Sequence, residues 1–477
     1  MTRTIDPRLL LAVTTSKALT TGIRRLGRGG GTALPGLVAG YLDPRMLDKL
    51  AQRLPLGAVV VAGTNGKTTT SRMLAGMLAE SGHRVAHNRS GSNLVRGISA
   101  ALAEQMPTLG KSGPEIGVIE SDENALPEIL RRTSPRVVVL LNLFRDQLDR
   151  YGELETIASR WREALRTLDS STTLVVNADD PTLAALAAES PATVVTFGLT
   201  EAPGTLSALP HASDAAACRN CESPLQYRAL FLSHLGEWYC SVCGAARPEL
   251  QIAAASIRLD GMRGLTMDIE DRRGAEPTTA LDIDVALPGL YNAYNALAAT
   301  AAARVLGLEI APIRRALASF EAAFGRLERV TYRGRSLTLA LSKNPVGFNE
   351  ILRMITGEPL AMPLVIAIND LDADGRDVSW LWDVDFEVLA EPQHVAARFI
   401  AAGLRGHDLA VRLKYAGVAA ERINDAACGR PLGEVLDEVI DSTPEESDVF
   451  MLLTYTALLQ LRQALADRGI VEEFWAQ

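Results

Sequence analysis

No apolar run in this chain approaches the roughly eighteen residues that a helical membrane span requires, so no such span is expected. The start, Met1 to Asp6, lacks the charged-then-apolar order of a signal peptide, and a cytoplasmic protein is expected. A basic excess is also missing. Lys and Arg number 48 against 57 Asp and Glu, a net charge of −9, which argues against general nucleic-acid binding. There is no internal repeat and no low-complexity tract beyond alanine enrichment. Cysteine is scarce, with five residues, but four of them fall into one pattern. What remains is ordinary for a globular enzyme: 47% hydrophobic and 22% charged residues over 477 positions, enough for two or three domains.

The first fifty residues read as a helical segment that is locally basic, with Arg3, Arg8, Lys17, Arg24, Arg25 and Arg28 against Asp6. Leu9, Leu10, Leu11, Val13, Leu19 and Ile23 suit an amphipathic helix. Such a helix more often packs on its own domain than on an anionic surface, so peripheral contact with the inner membrane is the lesser reading. Residues 25–36, rich in glycine, read as a flexible connection.

The densest signal is Gly63-Thr64-Asn65-Gly66-Lys67-Thr68-Thr69-Thr70. It follows the apolar run Ala58–Ala62, a buried strand, and precedes a helical pattern from Ser71. Strand, glycine loop, Lys-Thr and helix is the order that a phosphate cradle needs. The glycines let main-chain N–H groups reach phosphate oxygens, and the helix N-terminus adds a favourable dipole. Lys67 would neutralise the β- and γ-phosphates, and the Thr68 hydroxyl would ligate Mg²⁺. A plain Gly/Asn turn before a helix would leave Lys-Thr at this position unexplained.

Cys218-x₂-Cys221-x₁₈-Cys240-x₂-Cys243 falls inside the ribbon pattern for tetrahedral zinc. The residues between the two knuckles can form a hairpin, and four cysteines in a reducing compartment favour metal over disulfides. Four thiolates leave no open position for water, so the expected site is structural. Cys428 is left over and reads as inert.

Apolar strands recur at Ile116–Glu120, 136–142, Thr173–Asn177 and 193–198, separated by helical stretches, which implies a parallel sheet with helices on both faces. The cysteine ribbon interrupts this region between about 208 and 247. Helices are expected at 292–306 and 311–324. Beyond Gly325-Arg326 strands restart at 363–368, 397–402 and Asp448–Leu453, as in a smaller Rossmann-like α/β domain. The expected division is a helical segment at 1–50, a central nucleotide-binding domain at 51–325 and a C-terminal domain at 326–477. Ligands gather beyond the carboxyl ends of parallel strands. Polar groups stand at four such ends: the glycine loop, Glu120-Ser-Asp122-Glu123, Asn142-Leu-Phe-Arg145-Asp146-Gln147-Leu-Asp149, and Asn177-Ala-Asp179-Asp180-Pro181. Taken singly, each suits a solvated loop or helix cap. Glu120 is placed to ligate Mg²⁺ or hold its water.

In combination these segments resemble the Mur ligase family of ATP-dependent ligases. The glycine loop matches the family's phosphate loop, Asp146-Gln147-Leu-Asp149-Arg-Tyr-Gly resembles its D-H-L-D-x-H-G segment, and Asn177-Ala-Asp-Asp-Pro its N-x-D-D segment. Gly289-Leu-Tyr-Asn292-Ala-Tyr-Asn295 is similar to its adenine-side helix, and Gly325-Arg326-Leu-Glu328 to its hinge. The resemblance spans about 55–345. It implies ATP and Mg²⁺, and nucleotide contacts from Gly63 to Thr69, Asn292, Asn295 and Arg326. Gln147 replaces a metal-side histidine of many relatives. Leu341-Ser-Lys343-Asn344-Pro345 replaces D-Y-A-H-N-P, and no D-N-P-R motif occurs, so addition of an amino acid is not expected.

A Mur-like core carrying a four-cysteine ribbon resembles more narrowly the MurT branch, synthetase subunits of lipid II isoglutaminyl synthase. Asn369-Asp370-x₃-Asp374-Gly375-Arg376-Asp377-Val-Ser379-Trp380 supports it. This resemblance implies amidation of the D-glutamate α-carboxyl in the stem peptide of lipid II or a related muropeptide, with ammonia from a GatD-like class I glutaminase. It also implies that Asp377 orients the histidine of the partner's Cys-His pair; the competing reading is a helix cap. The chain has no credible glutaminase nucleophile of its own, since Cys428 lies outside any nucleophile elbow. Two alternatives stay open at this level: an amino-acid-adding Mur or folylpolyglutamate-type ligase acting alone, and a non-catalytic zinc-ribbon nucleotide sensor.

Overall fold

The strand signals condense into two sheets. The structure is a computed structural model that describes residues 6–25, 33–88, 93–107, 113–145, 154–210, 213–321, 326–360 and 362–472. In the first sheet lie β1 (Ala58–Ala62), β2 (Val85–His87), β3 (Ile116–Glu120), β4 (Val137–Leu140), β5 (Thr173–Asn177) and β6 (Thr193–Leu199). A separate hairpin holds β7 (Gln226–Leu232) and β8 (Leu235–Tyr239). The sheet then continues with β9 (Ile252–Asp260), β10 (Gly264–Asp271) and β11 (Thr278–Val285). The strand order is β11-β10-β9-β6-β5-β4-β1-β3-β2, parallel from β2 to β9 and antiparallel across β9, β10 and β11.

Burial on both faces explains why the parallel strands read as unbroken apolar runs. Val59 and Val61 of β1 join one core with Val118, Val139 and Val175, while Ala58, Val60 and Ala62 join the opposite core with Ile119, Val138 and Val176. Helices Lys67–Glu80, Leu290–Val305 and Ile310–Ala318 supply the first layer. The alanines of Leu290–Val305 are buried nearly all round, so this helix lies close against Lys67–Glu80. Helices Pro7–Arg25, Met46–Ala51, Val95–Gln105, Leu126–Thr133 and Leu154–Arg166 supply the second layer. In Pro7–Arg25 it is Leu9, Ala12 and Val13 that enter that core, so the helix packs on its own sheet. Lys17 Nζ donates to the Met106 carbonyl. No helix among the described residues is long and apolar enough to cross a membrane.

Two departures from the sequence reading have simple causes. The antiparallel extension β9–β11 departs from the expected parallel pattern, because β10 alternates buried Leu265, Met267 and Ile269 with half-buried polar Thr266, Asp268 and Glu270 rather than forming an apolar run. The helix expected to reach Phe324 ends at Ala318, and 322–325 lie outside the described residues.

The second sheet has β12 (Arg326–Tyr332), β13 (Arg335–Leu341), β14 (Leu364–Ala367), β15 (Phe399–Ala402), β16 (Ile423–Asn424) and β17 (Asp448–Leu453). Its order is β12-β13-β17-β14-β15-β16, parallel except for the β12–β13 hairpin. Helix Pro345–Ile355 joins β13 to β14 and reaches back to the first sheet, as its capping residue shows below.

Candidate active site

Between β1 and helix Lys67–Glu80 the chain makes a tight loop whose glycines are required by contact and by conformation. A Cβ on Gly63 would lie 2.8 Å from Leu141 Cβ. Gly66, at φ +86°, sits so close to helix Leu290–Val305 that a Cβ would fall 2.0 Å from Asn295 Oδ1. The loop is fastened to the segment after β4. Asn65 N donates to Asn142 Oδ1 at 2.8 Å, and Asn142 Nδ2 returns a bond to the Asn65 carbonyl at 3.1 Å. The Thr64 hydroxyl accepts from Phe144 N at 2.9 Å and donates to Phe144 O at 3.1 Å. The third strand end thus acts here as a scaffold for the first.

Lys67 is only 7% exposed. Its ammonium donates to Gly63 O at 2.6 Å, Thr64 O at 3.0 Å and Glu123 Oε1 at 3.0 Å. Thr68 Oγ1 lies 3.0 Å from Glu120 Oε1, so the two expected magnesium-side groups are adjacent. Asn88 holds the Glu120 main chain through two bonds, Nδ2 to Glu120 O at 3.0 Å and Oδ1 from Glu120 N at 2.9 Å. Sequence reasoning gave no role to Asn88 or Glu123. Glu123 belongs to a segment it singled out, but nothing in the spacing pairs it with Lys67.

The residues present suit a nucleotide phosphate and its cation. The buried Asn65 Nδ2 has no hydrogen-bond partner among the described residues, a spare donor within the loop. Thr68 and Glu120 offer the oxygen ligands that Mg²⁺ prefers. On the neighbouring helix, Asn295 Nδ2 donates to Asn292 Oδ1 at 3.0 Å, and Asn292 Nδ2 donates to Pro288 O at 2.7 Å. Asn295 thus stands against the glycine loop, with Asn292 behind it. Thr69 is buried in the first turn of helix Lys67–Glu80. Arg326 opens β12, with its side chain outside the described residues, as are Asp146, Gln147 and Asp149.

The fourth strand end, Asn177 to Asp180, is used internally. Asp180 Oδ1 caps helix Pro181–Ala188 by accepting from Thr182 N and Leu183 N, and its Oδ2 accepts from Leu143 N at 2.9 Å. Asp179 accepts from Leu199 N at 2.9 Å, Tyr294 OH at 2.7 Å and Arg247 Nη1 at 2.8 Å. Burial raises the Asp179 carboxyl above its ordinary range against the pull of Arg247. Both carboxylates fasten strand ends together and turn no free oxygen toward solvent.

The four cysteines converge at the base of the β7–β8 hairpin. Cys218 Sγ lies 3.5 Å from Cys243 Sγ, Cys221 Sγ 3.5 Å from Cys240 Sγ, and all four sulfurs fall within 4.8 Å. A tetrahedral zinc with Zn–S near 2.3 Å sets sulfurs about 3.8 Å apart, so this donor set fits a closed metal site. Hydrogen bonding to Ser223 lowers the Cys221 thiol to about 6, while the neighbouring sulfurs push Cys243 up to about 12 against a main-chain hydrogen bond from Ala245. Cys218 and Cys240 pack with Ala184, Leu225 and Trp238, and Trp238 Nε1 donates to Ala178 O at 3.0 Å.

From the second sheet, Asn344 caps helix Pro345–Ile355, its Oδ1 accepting from Gly347 N at 2.9 Å. Its Nδ2 donates to Asn65 Oδ1 at 3.0 Å, so this cap touches the glycine loop. Asp377 is exposed. Its Oδ1 accepts from Ser379 N at 2.8 Å and its Oδ2 from Ser379 Oγ at 2.9 Å, at the start of the turn Ser379–Asp383.

The chain is thus a two-sheet α/β protein with a glycine loop between a buried parallel strand and a helix. Mur ligases of known structure share this fold, and two of them illustrate it. A pseudomurein peptide ligase type C from Methanothermus fervidus is 21% identical with a TM-score of 0.62, covering 88% of this chain and 80% of that one. MurF from Acinetobacter baumannii is 16% identical with a TM-score of 0.63, covering 90% and 80%. The Mur ligase middle domain family matches residues 61–220, and the MurT ligase C-terminal family matches 341–458. The MurT subunit of lipid II isoglutaminyl synthase (glutamine-hydrolyzing) from Streptococcus pneumoniae is 33% identical over 451 residues, 94% of this chain and 95% of that one. Its counterpart from Staphylococcus aureus is 33% identical over 410 residues, 85% and 88% of the two chains. The chain belongs to the MurT family of Mur ligases.

Proposed function

We propose that this chain is the synthetase subunit of a glutamine-hydrolysing lipid II isoglutaminyl synthase. The observation that carries the reading is its 33% identity to the Streptococcus pneumoniae MurT subunit across 94% of its length. On this reading the substrate is lipid II or a related muropeptide. The α-carboxylate of its D-glutamate attacks the γ-phosphorus of ATP, ADP leaves, and an acyl phosphate forms. The nitrogen lone pair of ammonia then attacks the acyl carbon and phosphate leaves; the surplus proton passes to solvent or phosphate.

The first step needs positioning and charge neutralisation more than covalent help from the protein. Lys67 leaves its loop carbonyls and Glu123 to meet the phosphates. The glycine loop presents main-chain N–H groups and the Asn65 amide. Thr68 and Glu120 would hold Mg²⁺, which would neutralise developing phosphate charge. Asn292, Asn295 and Arg326 form the nucleoside side. The four cysteines would hold a structural zinc.

Ammonia is mostly protonated at neutral pH, so its release beside the acyl phosphate is advantageous. A GatD-like class I glutaminase supplies it, docked on the C-terminal domain at 326–477, while the domain at 51–325 holds ATP. The exposed carboxylate of Asp377 completes the partner's Cys-His pair by orienting its histidine. Its bonds to Ser379 orient it in the free chain, and its exposure leaves it accessible.

The test is glutamine-dependent amidation of lipid II by this chain with and without purified glutaminase, together with Lys67→Ala and Asp377→Asn. Amidation should require both chains, and Lys67→Ala should abolish ADP release. Asp377→Asn should abolish glutamine hydrolysis while free ammonia still supports amidation. Amino-acid addition by the isolated chain would overturn the reading.

A further inference from the structure

The turn that follows Asp377 rests on a buried cation with no part in the amidation chemistry. Two short 3-10 turns, Ser379–Asp383 and Phe386–Ala390, lie across helix Gly406–Tyr415. From that helix Arg412, 4% exposed, donates Nε to the Leu381 carbonyl at 3.2 Å and Nη2 to the Val384 carbonyl at 2.6 Å. Nη2 also reaches Glu387 Oε1 at 2.9 Å. The guanidinium lies 5.6 Å from the Trp382 ring centre and 5.5 Å from that of Phe386. Opposite it, Asn349 exchanges two bonds with Asp385, at 3.0 Å and 2.8 Å.

This support is unequal in kind. Glu387 is largely exposed, so its ion pair is screened and contributes little. The two carbonyl bonds are buried and charge-assisted, and they grip the main chain at the middle of the turn Ser379–Asp383 and just past its C-terminal end. A planar guanidinium can do this with its donors in fixed geometry, where a lysine ammonium cannot. Asp377 lies two residues before this turn and is tied to its first residue, Ser379, while Trp382, within it, is 55% exposed. Tyr415, 75% exposed, closes against Trp382 with ring centres 5.5 Å apart.

We infer that Arg412 is the positioning residue for Asp377. It holds the turn so that the carboxylate and the Trp382–Tyr415 pair meet the glutaminase as one pre-formed face. This rests on the functional reading above. An orienting carboxylate must be placed to a fraction of an ångström, so a turn held only by apolar contacts would lose rate before it lost binding.

The experiment uses the complex of the full chain with its glutaminase, comparing Arg412→Ala, Arg412→Lys and Asp377→Asn. Readouts are the kcat of glutamine hydrolysis at saturating partner and ADP release driven by free ammonia. Arg412→Ala should lower the glutaminase kcat at least tenfold while ammonia-driven ADP release stays within twofold. Guanidinium ion at low millimolar concentration should restore part of the loss. Arg412→Lys should fall between wild type and Arg412→Ala. Full glutaminase kcat in both Arg412 variants overturns the inference. So does joint collapse of both activities in both variants, without rescue, since that marks a residue needed only for folding. Normal hydrolysis by Asp377→Asn would instead remove the reading on which the inference stands.

Discussion

Replacing Gly66 with alanine separates two costs that usually arrive together. Gly66 and Gly82 share a φ of +86°, so alanine at either position meets the same left-handed penalty, about 1–2 kcal/mol. Their surroundings differ. A Cβ at Gly82 has nothing within 4 Å, whereas one at Gly66 would sit 2.0 Å from Asn295 Oδ1 and 3.0 Å from Asn295 Cγ. Asn295 cannot swing away freely, because its Nδ2 is bonded to Asn292 within a buried helix. Overpacking of this kind costs about 1–3 kcal/mol. Gly82→Ala should therefore lose about 1–2 kcal/mol and Gly66→Ala about 2–5 kcal/mol, read from urea unfolding. Function should divide more sharply. Gly82→Ala should release ADP normally, while Gly66→Ala, which pushes the loop off helix Leu290–Val305, should raise the KM for ATP at least tenfold. Equal unfolding midpoints together with an unchanged KM would refute the steric argument and the closeness of loop and helix.

Other consequences are equally direct. Metal analysis of the purified chain should find one zinc, lost when Cys218, Cys221, Cys240 and Cys243 all become Ser. Single substitutions there should lower thermal stability more than they lower ADP release. Burial raises the Glu350 carboxyl from 4.5 to about 7 against the attraction of Arg353. Between those values the folded chain keeps a proton that the unfolded chain releases, so this group's contribution to stability falls as pH rises through the window. The loss approaches about 3 kcal/mol above pH 7. Glu350→Gln should flatten that slope in unfolding measured from pH 4 to 8; an unaltered slope would show that the carboxyl titrates normally.

What the sequence disclosed was whatever short spacing encodes. The strand before Gly63, the helix after Lys67 and the paired cysteine knuckles are local patterns, and each is present in the fold. The uniform apolar runs of β1, β3, β5 and β17 were legible because those strands are buried on both faces. The unread parts depend on residues far apart in the chain. Lys67 meets Glu123, Asn88 steadies Glu120, and Asn344 reaches Asn65 across 279 positions, none of which periodicity reveals. Asp179 and Asp180 show the reverse difficulty. Grouped by sequence with the chemistry, they are occupied in joining β6, a helix cap and Tyr294. A carboxylate at a strand end has the same appearance in sequence whether it binds a ligand or a neighbouring amide.

The contact between Asn344 and Asn65 joins two uncharged amides at 3.0 Å. Neither group titrates, and a neutral hydrogen bond is barely screened by ions, so this link between the sheets should keep its strength across pH and ionic strength. Its net worth is about 0.5–1.5 kcal/mol, only one to three times thermal energy. A clasp of that size can open and close in every catalytic cycle without a dedicated energy source. The clasp uses the Asn344 amide nitrogen and the cap of helix Pro345–Ile355 uses its oxygen, so the cap can stay in place when the clasp opens.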